Sequence, residues 1–444
     1  MSGARDAAAR VLAAVRREGS YSNIALDNLL DTATLSPADA ALATRLVYGV
    51  LERQMTLDWY LSACSNRPLA KAHPVVADAL RLAAYQILYM ERIPAAAAVN
   101  EAVAQVRRRQ PYAAGYANGV LRNLIRRRDE LTAAIPTGDE GLVVRYSCPQ
   151  ALIALWREAY GEAVLQGLLD CLNDPPPTYL RVNTFQTDVA RFTDRLEREG
   201  IAYRLFDALP GCVEVSSAAG LKRLAKSLEN CYYHQDMASQ YACRALDAQP
   251  GGRVADVCAA PGGKTLTVAQ LMQGRGEILA GDIYPAKCDA MAARAARMGA
   301  DIVRTVCRDA SAPTPAALRE RFDRVMCDAP CSGLGVIRRK PEIRQKALDE
   351  VEALPALQTR ILDRAAELVR PGGVLQYSTC TLNPAENRAV AERFLETHPA
   401  FAPRALPGLP ESALGEPDWC RTLLPPVHHT DGFFIAGFVK EVNP

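Results

Sequence analysis

The stretch Arg253-Val254-Ala255-Asp256-Val257-Cys258-Ala259-Ala260-Pro261-Gly262-Gly263-Lys264-Thr265 passes from an apolar run through small residues into a helical pattern. Similar short runs recur at Glu277–Asp282, Ile302–Val306, Arg324–Asp328 and Val374–Ser378, each separated from the next by helical spacing. Buried strands alternating with helices predict a parallel, doubly wound α/β sheet, Rossmann-like in plan. Gly432–Val439, after Pro425-Pro426, reads as an added antiparallel edge. Ligands of such sheets bind beyond the carboxyl ends of the strands. A side chain at Gly262 or Gly263 would block backbone approach there, and the following helix N-terminus suits an anionic group. A P-loop is excluded, because its first glycine would fall at position 258, which is Cys258. G-x-G-x-x-G is also absent, and a plain tight turn remains the competing reading. Asp282 lies 20 residues past Gly262, the spacing at which a carboxylate meets a ribose diol. Asp309 follows the next strand. Either acid alone would read as a helix cap, but with the loop they indicate an adenosine-type cofactor.

Working outward, Ala4–Leu131 carries apolar residues only at helical spacing, and Ser36-Pro37-Ala38-Asp39 marks one helix start. Ala133–Ser147, with Pro136, Gly138 and Gly141, reads as a linker. Beyond Pro175-Pro176-Pro177 come an extended Tyr179–Asn183, a helix near Val189–Gly200 and strands near Tyr203–Phe206 and Cys212–Val215. The expected organisation is a multidomain chain: an all-α domain over 1–135, a small α+β domain over 145–230 and the α/β doubly wound domain over 231–444.

With 444 residues, 49% hydrophobic, 23% charged and a net charge of +2, the composition is that of a soluble globular protein. No apolar stretch reaches membrane-spanning length, and Arg5, Asp6 and Arg10 interrupt the region where a secretory signal would lie. A cytoplasmic protein without membrane contact is expected. Thirteen cysteines, an odd number spread from Cys64 to Cys420, read as reduced thiols. The nearest zinc-like pair is Cys327–Cys331 with only five histidines in the chain, so no metal is expected. Residues 1–135 hold 17 Lys and Arg against 12 Asp and Glu, with Arg107–Arg109 and Arg126–Arg128 closing predicted helices. They either complement helix dipoles or form a phosphate-contacting patch.

Two cysteines stand apart by position. Phe322-Asp-Arg-Val-Met-Cys-Asp328-Ala-Pro330-Cys331-Ser-Gly333 and Gln376-Tyr-Ser-Thr-Cys380-Thr381 each put a thiol at a strand exit on the edge that carries the glycine loop. Most cysteines are small buried hydrophobes. Cys331 and Cys380 are instead expected to face one cleft.

These three segments together resemble the Sun/Fmu family of RNA cytosine-C5 methyltransferases. Arg339–Arg344, Asn383–Asn387, His234–Ser239 and Asp431–Phe434 are similar to it too, and the likeness covers about residues 145–444. Ser22–Leu26 and Arg45–Val50 resemble a NusB-like RNA-binding domain. The resemblance implies S-adenosyl-L-methionine held by Cys258, Ala259, Ala260, Pro261, Gly262, Gly263, Lys264, Asp282, Asp309 and Asp328. It implies Cys380 as nucleophile, Cys331 as acid or base of product release, and Asp328 at the base, the cofactor or both.

The NusB-like pairing implies 16S rRNA, free or in an early small-subunit particle, as partner of a monomeric enzyme; DNA is not expected. Arg181 and Asn183 are candidates for RNA contact or for structure, and Arg338, Arg339 and Lys340 for phosphate contact beside Cys331. Lys340-Pro341 stands where ribosomal RNA enzymes of the family often have His-Pro. A transfer RNA or another ribosomal site, and a non-catalytic RNA-binding assembly factor, remain as alternatives.

Overall fold

A computed structural model describes residues 3–18, 21–32, 35–216, 221 and 227–442. The chain divides into two compact units, Met1–Asp174 with Ile337–Ala347, and Pro175–Val336 with Leu348–Pro444.

The first unit is helical throughout. Its longer helices span Ala4–Glu18, Ser22–Thr32, Pro37–Glu52, Gln54–Ala63, Pro74–Tyr89, Ala95–Arg109, Ala114–Ala133, Gly138–Tyr146 and Gln150–Cys171. Leu46, Leu57, Leu61 and Leu80 are fully buried at its centre. The Ser36 hydroxyl accepts from the Asp39 N–H at 3.1 Å, starting the Pro37–Glu52 helix as its sequence suggests.

Gly138–Tyr146 lies inside the stretch read as a linker, and there the local signals mislead. Gly141 looks like a breaker, yet a Cβ at that position would lie 2.0 Å from the Pro136 carbonyl oxygen. Its glycine is required by close packing. Asp139 and Glu140 in the first turn suit the helix dipole, and Thr56 donates to the Val144 carbonyl at 2.6 Å.

Ile337–Ala347 belongs to this helical unit although its flanking residues belong to the other. Arg344, only 1% exposed, donates through Nη1 to the Glu52 and Tyr146 carbonyls (2.7 and 3.1 Å) and through Nη2 to that of Leu172 (2.9 Å). Burial pushes its guanidinium down to about 10, which leaves it charged at neutral pH. Glu342 accepts from Ser22 N–H and hydroxyl at 3.1 and 2.7 Å. Lys340 Nζ sits 4.2 Å above the Tyr21 ring.

In the second unit β1 (Thr178–Val182), β2 (Tyr203–Leu205), β3 (Cys212–Val215) and β4 (Tyr232–His234) form an antiparallel sheet ordered β2-β3-β1-β4. The larger sheet contains β5 (Arg253–Asp256), β6 (Glu277–Asp282), β7 (Val303–Cys307), β8 (Phe322–Asp328), β9 (Val369–Thr379), β10 (Phe401–Pro403), β11 (Cys420–Leu423) and β12 (Phe433–Lys440). Its order is β10-β12-β9-β8-β5-β6-β7, with β11 on β12. The pairs from β9 to β7 are parallel, and β12 runs antiparallel to β9. Strand order reverses at β5, so its carboxyl end opens into the crevice where ligands of such sheets sit. No helix among the described residues is long and apolar enough to cross a membrane.

Arg344→Ala should lower the stability of the helical unit by about 3–5 kcal/mol, since three carbonyls lose their donor and the site is too buried for full rehydration. Urea unfolding followed by circular dichroism measures this. A loss within about 0.5 kcal/mol would show that the carbonyls find other partners.

Candidate active site

The loop after β5 is built by its own backbone. Ala259 N–H donates to the Gly281 carbonyl and Gly262 N–H to that of Ala259, both at 2.7 Å. Gly262 adopts φ +90°, a left-handed conformation, with Met291 3.3 Å from where a Cβ would lie. Gly263 opens the helix Gly263–Leu271, and its Cβ position meets only Gln235 Nε2, at 3.8 Å. That is a backbone surface open to a ligand.

Acids line this crevice. Asp282 ends β6 and uses Oδ1 to accept from the Tyr284 N–H at 3.1 Å, with Ile283 and Tyr284 exposed beside it. Asp309 is exposed, and the Ser311 hydroxyl and N–H hold its carboxyl below the usual range. Cys258 follows the neighbouring strand β5, and its thiol is pushed far up by burial and then by Asp256, Asp328, Asp282 and Asp309. The open glycine backbone, the two carboxylates at neighbouring strand ends and the exposed apolar side chains fit an adenosine moiety.

The two thiols meet. Cys331 and Cys380 Sγ atoms lie 3.3 Å apart, each half-buried. A hydrogen bond to Cys380, and then burial, raise the Cys331 thiol well above its ordinary range. Their loops are fastened by Glu386, which is fully buried. Its Oε2 accepts from Ser332 N–H and Gln358 Nε2 (both 2.9 Å), and its Oε1 from Asn383 Nδ2 (3.0 Å) and the Ser332 hydroxyl. Gly335 N–H donates to the Cys380 carbonyl at 3.0 Å, and a Cβ on Gly335 would strike the Gly432 carbonyl oxygen at 2.0 Å.

Asp328, at the end of β8, is held on both oxygens. Lys264 Nζ donates to Oδ2 at 2.8 Å and the Ser378 hydroxyl to Oδ1 at 2.7 Å. Burial disfavours the Lys264 ammonium, but Asp328 and Cys380 outweigh it and raise the group above its ordinary range. Phe433 covers it, with the ring centre 5.1 Å from Nζ. Lys264, expected at the cofactor, thus spends its charge on the carboxylate beside the thiols.

Other candidates fall elsewhere. Arg181 is 5% exposed, bonded through Nε to Gln270 Oε1 (3.1 Å) and through Nη1 to the Pro210 carbonyl (2.7 Å). Asn183 is fully buried and donates to the Asn230 and Met298 carbonyls while accepting from Gln270 Nε2. Both pin the small sheet to the Gly263–Leu271 helix, and burial removes them from RNA contact. Arg338, Arg339 and Lys340 lie in the segment grouped with the helical unit, where Lys340 stands over the Tyr21 ring. The sequence reading gave no role to Glu386, Gln358, Ser378 or Asp256; the one available signal was Asn383-Pro384-Ala385-Glu386-Asn387 directly after Cys380.

Asp256 generates a pH effect. It is fully buried and accepts from the Thr265 hydroxyl at 2.7 Å; burial pushes its carboxyl up to about 7. The folded state therefore holds this proton more tightly than the unfolded chain does. Its stabilising contribution is complete below about pH 4 and is lost as pH rises to about 7, at about 1.4 kcal/mol per pH unit. Asp256→Asn should remove that slope. Urea midpoints of wild type and variant that run parallel from pH 4 to 7 would contradict it.

Comparison with known proteins agrees with the geometry. Residues 243–439 match the family model for 16S rRNA methyltransferase RsmB/F, residues 2–126 that of the NusB family, and residues 148–222 that of the RsmF/B-like ferredoxin-like domain. The chain is 34% identical over 447 residues to the probable ribosomal RNA small subunit methyltransferase B of Synechocystis sp., covering 99% of this chain and 100% of that one. It is 33% identical to ribosomal RNA small subunit methyltransferase B of Vibrio cholerae, covering 94% and 93%. The solved structure of PH0851 superposes with a TM-score of 0.84 at 26% identity over 98% of each chain. A NusB-type helical domain, a ferredoxin-like module and a methyltransferase sheet with its cofactor crevice thus occur in one chain, which belongs to the RsmB/F family of S-adenosylmethionine-dependent 16S rRNA methyltransferases.

Proposed function

We propose that the chain methylates C5 of a cytosine in 16S rRNA through a covalent bond between Cys380 and C6. The observation that carries this is the 3.3 Å approach of Cys331 and Cys380 beside Asp328. The cofactor supplies an electrophilic methyl group, and cytosine C5 is by itself too weak a nucleophile to take it. Addition of the Cys380 thiolate to C6 breaks the C5–C6 π bond and makes C5 enamine-like, so that it takes the methyl. Loss of the C5 proton to water then returns that electron pair to the C5–C6 double bond, breaks the C6–S bond and expels the Cys380 thiolate.

The thiols divide these roles by their proton. In this reading Cys331, raised well above its ordinary range, keeps its hydrogen and Cys380 is the sulfur that attacks. At release, Cys331 is the neighbour able to protonate the departing thiolate. Asp328, whose oxygens accept from Lys264 and Ser378, stands beside the thiols where it can meet the cytosine ring or its amino group. The target base must be unpaired or flipped, because stacking hides both C5 and C6.

Labelled S-adenosylmethionine with unmethylated 16S RNA, followed by mapping of 5-methylcytosine, tests the reading. Cys380→Ala should give no transfer. Cys331→Ala should slow release by about 10²–10⁴-fold and accumulate a protein–RNA adduct that survives a denaturing gel. An adduct formed by the Cys380→Ala protein in place of the Cys331→Ala protein would reverse the roles, and label found only in transfer RNA would overturn the substrate.

A further inference from the structure

On the helical unit, a groove of about 700 Å³ runs between the turn after Gln54–Ala63 and the outer face of Ala114–Ala133. Arg67, Arg122 and Arg126 line it together with Tyr112, Tyr116 and Asn66, and no carboxylate does. Among the described residues none of these three arginines makes an ion pair with an acid, whereas their neighbours Arg127 and Arg128 are paired with Glu130 and Asp129. Of the two arginine triplets in the sequence, only Arg126 contributes to the groove.

Its walls are fixed. Ser65 donates to the Arg67 carbonyl at 2.6 Å and accepts from the Arg67 N–H at 3.1 Å, while its oxygen meets the Tyr116 hydroxyl at 2.8 Å. Arg126 Nη2 donates to Asn123 Oδ1 (2.7 Å), and Asn123 in turn donates to the Cys64 carbonyl (3.1 Å). Tyr112 is the opposite case: its side chain stands 82% exposed at the rim with nothing to pack against. Water-exposed aromatic surface of that size is unfavourable in the free protein. Gly119 leaves open space where a side chain would project.

We infer that this groove binds an unpaired segment of the RNA substrate, with phosphates on Arg67, Arg122 and Arg126 and a base stacked on Tyr112. The inference rests on the RNA methyltransferase reading and deepens it by naming a second RNA contact, within the helical unit. Cations that form no ion pair, in a groove lined by no carboxylate, favour phosphate, and an exposed ring beside them favours a base whose face is free. A duplex keeps its base faces stacked and cannot use Tyr112. An acidic protein segment would satisfy the arginines but gains little from the ring.

The test uses the full chain and a fluorescent unstructured oligoribonucleotide, titrated over a range of salt. Arg67→Gln with Arg122→Gln should weaken binding and make the slope of log K against log salt shallower by about 1.4, the value for two lost single-strand phosphate contacts. Tyr112→Ala should weaken binding by roughly tenfold and leave the slope unchanged. Gly119→Glu, which adds a side chain and an anion in open space and raises helix propensity, should weaken binding while the circular dichroism spectrum is retained. In methyl transfer these variants should raise KM for RNA, with S-adenosylmethionine affinity as in wild type.

Oligonucleotide binding equal to wild type in all variants would overturn the inference. So would equal losses for duplex RNA, or polyglutamate binding that falls in the arginine variant while Tyr112→Ala changes nothing for RNA. Absence of methyl transfer by the wild type, with oligonucleotide binding lost in the variants, would count against the proposed function and leave this groove assignment supported.

Discussion

Two thiols 3.3 Å apart cannot both give up their protons, because two like charges at that distance in a half-buried site repel too strongly. One sulfur must carry the hydrogen, and it serves the other as a hydrogen-bond donor. Holding two loops so that this pair persists requires a scaffold. Glu386 provides it: a buried carboxylate whose oxygens take donors from Ser332, Gln358 and Asn383. A polar group so deeply buried is tolerable only because its acceptor sites are filled. The geometry of the two thiol-bearing loops depends on that arrangement.

The sheet explains why these groups share one region. Strand order reverses at β5, and β5, β6, β8 and β9 run in the same direction, so their carboxyl ends form a continuous row. Asp282, Cys258, Asp256, Asp328 and the two thiols follow along it, and their mutual electrostatic influence is felt at Cys258, Lys264 and Cys331. Lys264 is the one cation placed by the loop among these acids. Its pairing with Asp328 ties the glycine loop to the end of β8.

Much of this was legible in the sequence where local rules govern. Glu277–Asp282 and Cys212–Val215 read correctly as strands to the residue, and the thiols at strand exits announced a shared cleft because a parallel sheet leaves no other place for them. What failed did so for tertiary reasons. Gly138–Tyr146 was hidden because Gly141 serves close packing rather than a turn. Arg181 and Asn183 were left between RNA contact and a structural part, because burial of a small sheet against a helix is not written in its own residues. That Ile337–Ala347 groups with the helical unit was not legible, because Arg344 and Glu342 spend their bonds on partners far earlier in the chain. Glu386 was invisible in role, since its partners are separated by up to 54 residues in the chain.

The most direct measurement is to trap the enzyme on 16S RNA that carries 5-fluorocytidine at the target, with S-adenosylmethionine present, and to map the modified peptide by mass spectrometry. Fluorine at C5 cannot leave as a proton, so the bond from sulfur to C6 persists after methyl transfer. The account predicts a methylated, fluorinated nucleotide attached to the peptide containing Cys380. Attachment at Cys331, or methylated product released without any covalent species, would contradict it.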